Sequence, residues 1–138
     1  MHFQLRTHFR TLLFLTCLIF CSTSLLGQSK QALQNYEAGL RALENKDIQK
    51  AIQLFYSASE KDNQYIDPLI ALFQTYQDTR NFKLAIDRFE QIKKIDSSAS
   101  VPFIVKQATA LASLGQYNAA KDLLDPYIIN NTLPSLSL

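Results

Sequence analysis

Residues 66–99 read IDPLIALFQTYQDTRNFKLAIDRFEQIKKIDSSA, and two apolar stripes run through them. Leu69, Leu72, Phe73 and Tyr76 recur at helical spacing, which makes one face of a first helix apolar. Asp67 ahead of Pro68 suits a side-chain N-cap with proline in the first turn. Thr79-Arg80-Asn81 interrupts the stripe, and Phe82, Ala85, Ile86, Phe89 and Ile92 begin another. Two helices of about a dozen residues do not bury both stripes against each other alone. They need neighbours of the same kind.

The rest of the chain supplies them. A shift of 34 towards the N-terminus sets Phe82 on Ile48, Ala85 on Ala51, Phe89 on Phe55 and Asp96 on Asp62. A shift of 35 the other way sets Phe82 on Tyr117, Ala85 on Ala120 and Phe89 on Leu124. A period near 34 with helix–turn–helix content marks a stacked helical repeat. The expected fold is all-α, a right-handed α-solenoid of three helix–turn–helix units over about 32–65, 66–99 and 101–130, within a domain spanning 28–130.

Outward from the middle unit, residues 29–44 form an expected first helix. Leu33, Tyr36, Leu40 and Leu43 lie along one side of it and Ala38 and Ala42 along another. Gly39 inside it points to a close helix approach. After Asn45-Lys46-Asp47, the residues Ile48, Ala51, Ile52, Phe55 and Ala58 face a second helix inward. On the other flank, Ser100 is an expected cap for a third pair with Pro102 in its first turn. Ile104, Val105, Ala108, Leu111 and Leu114 form its stripe. Gly115-Gln116 turns the chain into Tyr117, Ala120, Leu123 and Leu124. Pro126 falls inside the last helix and predicts a kink or an early stop. Residues 131–138 read as an irregular tail. Asn130-Asn131-Thr132 matches a glycosylation sequon, a common chance occurrence.

Residues 1–27 have the order of an export signal: Arg6 and Arg10 near the start, the apolar run LLFLTCLIFC from Leu12 to Cys21, then small residues up to Gly27. The run is short for a membrane span, which needs about 20 apolar residues. Cleavage is expected after Gly27, with Ser24 as the alternative. Cys17 and Cys21 follow Thr16 and Phe20, not the small residue a lipidated cysteine needs, and read as apolar filler. Without the leader the fourteen Lys and Arg fall to twelve, against 12 Asp and Glu, so the remainder is neutral. That composition gives no electrostatic case for nucleic acid.

Both histidines, His2 and His8, and both cysteines lie in the leader. The remainder therefore lacks the usual general base, the thiol nucleophile and most zinc ligands. Gly39 and Gly115 do not make a phosphate loop. The acidic pairs Glu60/Asp62 and Asp122/Asp125 fit solvated helix ends better than acid–base work. No catalytic residue, cofactor site or metal site is expected, and the chain reads as a non-enzyme.

These units resemble tetratricopeptide repeats over residues 32 to about 129. The family's small residue in the first helix matches Gly39 and Ala108, with Phe73 in its place in the middle unit. A later aromatic or leucine matches Tyr76 and Leu111, with Ala42 in the first unit. The inter-helix turn appears as Lys46-Asp47-Ile48, Arg80-Asn81-Phe82 and, most faithfully, Gly115-Gln116-Tyr117. The family's alanine is Ala51, Ala85 and Ala120, and its second-helix aromatic is Phe55, Phe89 and Leu124. The proline that ends each repeat is absent, with Asn63 and Ser97 in its place.

The resemblance implies a protein or peptide partner held on a concave surface lined by the first helices. The corresponding positions are Tyr36, Leu40 and Leu43, then Ile70, Gln74 and Gln77, then Val105, Thr109 and Ala112. Leu40 and Ile70 are equally suited to packing between repeats. Some relatives carry Lys, Arg and Asn there to clamp a carboxylate, and none stands at these positions. An apolar or helical segment fits better.

Leader plus three repeats also resembles the start of Gram-negative envelope proteins in which a β-propeller and an OmpA-like peptidoglycan-binding domain follow. The expectation is therefore an exported, periplasmic or outer-membrane-associated scaffold for protein–protein interaction. The alternative is a spacer, or the N-terminal part of a larger peptidoglycan-associated protein, with no groove ligand of its own. No membrane span is expected in the mature chain. Self-association through the C-terminal helix pair is expected from the apolar residues Leu123, Tyr127 and Ile128 at its edge.

Overall fold

Three helical hairpins follow one another in the computed structural model, which describes residues 30–130 and 132. The leader with its cysteines and histidines, the cleavage sites, Ser29, Asn131 of the sequon and residues 133–138 of the tail lie outside the described residues. The elements are α1 (30–44), α2 (Ile48–Lys61), α3 (Ile66–Asp78), α4 (Phe82–Ile95), a short α5 (Ser97–Ser100), a 3₁₀ turn (Val101–Phe103), α6 (Ile104–Ser113) and α7 (Tyr117–Ile129). Among the described residues there is no strand. Hairpins α3/α4 and α6/α7 each pack internally, and α2 on α3 and α4 on α6 join successive hairpins.

The hairpin turns share one geometry because the same backbone bonds recur. Lys46, Arg80 and Gly115 have positive φ, at 61°, 58° and 76°. The residue after each donates its N–H to the carbonyl five back: Asp47 to Ala42, Asn81 to Tyr76 and Gln116 to Leu111, at 2.8–2.9 Å. Lys46, Arg80 and Gly115 themselves donate to Leu43, Gln77 and Ala112. This is the Schellman closure of a helix, and it satisfies carbonyls the helix end would otherwise leave bare.

The stripes of the middle hairpin lie in the core. Leu69, Leu72, Phe73 and Tyr76 of α3 are buried, as are Ala85, Phe89 and Ile92 of α4. Phe73 meets Phe89 at 6.0 Å between ring centroids and Phe103 of the next unit at 5.4 Å. That wedge is why a phenylalanine occupies a position where the flanking hairpins have Gly39 and Ala108. In α2, Ala51, Phe55 and Ala58 are fully buried.

In α1 the buried face is Ala32, Gly39 and Ala42, in keeping with the close approach expected at Gly39, whereas Leu33 is 47% exposed and Leu40 38%. Small residues let α2 approach, so the leucines point elsewhere. Three sequence expectations are corrected. Asp67 does not cap α3: the helix begins at Ile66 after Tyr65, and Asp67 sits in its first turn, where a carboxylate favours the positive helix end. Ser100 does not cap the third pair: α6 begins after Phe103 without a side-chain cap, and ahead of it Asp96 caps the short α5, its carboxylate accepting the N–H groups of Ser98 at 2.8 Å and Ala99 at 3.3 Å. These bonds, with the Ser98 hydroxyl first among the causes, hold the Asp96 carboxyl below its ordinary range. Pro126 brings no early stop, since α7 continues through it to Ile129.

Candidate functional site

Helices α1 and α3, the first members of neighbouring hairpins, leave a cleft of about 200 Å³ between them. Its shape follows from the way α3 divides its faces. Leu69, Leu72, Phe73 and Tyr76 turn into the core, so Asp67, Ile70, Ala71, Gln74 and Asp78, at helical spacing, line the cleft. The opposite wall is Tyr36, Leu40 and Leu43, with Ile48 from the start of α2. Thr75 also lines it, but its hydroxyl donates to the Ala71 carbonyl at 2.7 Å, which satisfies it within α3. The surface sets the apolar Leu40, Leu43 and Ile70 beside the exposed Gln74, with a carboxylate near each end of α3.

At the Asp67 end, Tyr36 lies edge-on to Tyr65 at 5.5 Å and tilted against the buried Phe55 at 5.8 Å. Burial first, then the negative charge of Asp67, push the Tyr65 hydroxyl up to about 12, with smaller contributions from Tyr36 and Glu37. Burial and Asp67 also raise Tyr36.

Five residues singled out in the sequence, Tyr36, Leu40, Leu43, Ile70 and Gln74, are thus brought together. Three are not. Gln77 donates its side-chain amide to the Lys106 carbonyl at 3.1 Å and ties α3 to α6. Val105 and Thr109 stand on α6 away from this cleft, and the Thr109 hydroxyl donates to the Val105 carbonyl at 2.9 Å. Asp67, which the sequence suggests only as a cap, and Asp78 join Ile70 and Gln74 on the α3 wall of the cleft, at helical spacing.

Elsewhere the chemistry is structural. Asp62 accepts the Gln64 N–H at 3.1 Å, and Asp125 accepts the Lys121 ammonium at 2.7 Å. A second cleft, about 550 Å³, lies among α4, α6 and α7 and is lined by Phe89, Ile104, Leu123 and Tyr127. Gln107, buried at its base, has no hydrogen-bond partner for Oε1 among the described residues. Among those residues no group of His, Cys, Asp and Glu could hold a metal ion, and no helix is long and apolar enough to cross a membrane.

Residues 42–101 match the family model described as tetratricopeptide repeat, a span that covers the end of α1 and all of α2 to α4. No curated protein and no solved structure matches the chain.

Proposed function

We propose, from the match of residues 42–101 to the tetratricopeptide-repeat model, that the chain is an exported, non-enzymatic scaffold that holds a segment of a partner protein in the α1–α3 cleft. The observation that carries this reading is the convergence of Tyr36, Leu40, Leu43, Ile70 and Gln74 on one concave surface, with Leu40 and Gln74 left exposed. An exposed leucine beside a half-buried tyrosine is the make-up of an interface core, where aromatic and apolar anchors supply most of the binding energy.

Export to the bacterial envelope is supported by the signal-like order of residues 1–27. Fractionation of cells expressing the tagged chain, with and without residues 1–27, tests it. Export predicts the intact chain in the envelope fraction and the shortened one in the cytosol.

The groove role is tested by pull-down from envelope extract with wild type, Gln74→Ala and Tyr36→Ala, each checked for fold by circular dichroism. Loss of a partner in both variants supports the cleft. Partners unchanged in both would favour a bracing role, in which the hairpins only space a larger assembly.

A further inference from the structure

The partner's chemistry is written into the charges of the same cleft, so this inference rests on the cleft reading. Besides Tyr36, the ionisable side chains that line the cleft are Asp67 and Asp78, both carboxylates; no lysine or arginine lines it. The ion pairs among the described residues, Glu37–Arg41, Glu90–Lys93 and Lys121–Asp125, involve neither of them. The negative field of Asp67 is felt by the two phenols beside it, Tyr36 and Tyr65, both of which ionise less readily than usual. Eleven residues separate Asp67 and Asp78, about three turns, which sets them on one face of α3 about 16 Å apart. Between them run Leu40, Leu43 and Ile70. A concave, partly apolar surface of one charge sign focuses its field on the opposite sign.

We propose that the cleft takes a basic amphipathic segment of a partner protein: apolar side chains against Leu40 and Ile70, and a lysine or arginine at each end, one at Asp67 and one at Asp78. A helix with cations eleven residues apart matches the spacing of α3 itself. An acidic segment is repelled at both ends. The cleft is thus opposite in sign to a cationic clamp for a carboxylate.

The test is selection of twelve-residue peptides from a random display library on the full-length chain, followed by affinity measurement at two salt concentrations. The expected pool has lysine or arginine on both sides of an apolar centre, and its binding weakens as salt rises. The double variant Asp67→Asn/Asp78→Asn, checked for fold by circular dichroism, should lose about tenfold in affinity for those peptides, and neutral twins of the peptides should bind both proteins alike. A pool that is neutral or acidic, or a basic pool that binds the double variant equally well, overturns the charge inference. If such binders are still weakened by Gln74→Ala, the cleft reading survives that failure. Binders indifferent to Gln74→Ala and Tyr36→Ala, or no binders at all, overturn both.

Discussion

Phe55 fills the space that a side chain at Gly39 would need: a Cβ built on Gly39 comes within 2.5 Å of Cε1 of the Phe55 ring and 2.6 Å of Cδ1. The ring has no room to retreat, because Phe55 is fully buried. Alanine is the better helix former by about 1 kcal/mol. Overpacking a closed core costs about 1–3 kcal/mol. The clash wins, and Gly39→Ala should lower stability in urea denaturation. Phe55→Leu in the Gly39→Ala background should cost less than it does in wild type, since a double-mutant cycle reports their contact.

The hairpin turns give a prediction of opposite sign. Lys46 and Arg80 hold the left-handed conformation that Gly115 holds in the third hairpin. A side chain there is strained by about 1 kcal/mol, which glycine relieves. Lys46→Gly and Arg80→Gly should each raise the denaturation midpoint. Gly115→Ala should lower it by a similar amount, although nothing lies within 4 Å of the added Cβ, so the loss would be conformational and not steric.

Tyr65 makes the fold sensitive to alkali. Its hydroxyl is raised from 10.0 to about 12, so folding favours the protonated form. The associated stability is complete below pH 10 and is lost progressively as pH rises towards 12. In an ultraviolet titration one tyrosine should ionise near the top of that range. Asp67→Asn removes a negative charge and should bring it down, and Tyr65→Phe should abolish that late ionisation.

The C-terminal pair is the third place where packing can be tested. Leu123 and Tyr127 of α7 are half-buried, while Ile128 is 56% exposed and Ile129 80%. Exposed apolar residues grouped in this way mark an interaction surface. Self-association through this pair should make the sedimentation coefficient rise with concentration, and Ile128→Lys/Ile129→Lys should return a monomer. A concentration-independent monomer in wild type would remove this contact from the proposal.

Much of this fold is legible in order along the chain, because a stacked repeat is built from local contacts. Ala51, Ala85 and Ala120 recur near 34 residues because each sits where two helices of a hairpin come closest, and all three are buried. Reading fails where a side chain answers to a neighbour far away in sequence. Gly39 announces a close helix approach, but only the structure shows that the Phe55 ring is what comes close. Gln77 looks like a groove residue, yet the Lys106 carbonyl, 29 residues on, lies within its reach.

The sequence by itself determined the helices and their period, because hydrophobic spacing and turn residues act within a few positions of each other. Only the tertiary structure decided which wall of each helix stays open. Burying Leu69, Leu72, Phe73 and Tyr76 between hairpins leaves Asp67, Ile70, Gln74 and Asp78 on the open side of α3, and the approach of α1 makes that side a cleft. The charge of the cleft is therefore a property of the packing: it arises from which side chains the core leaves outside.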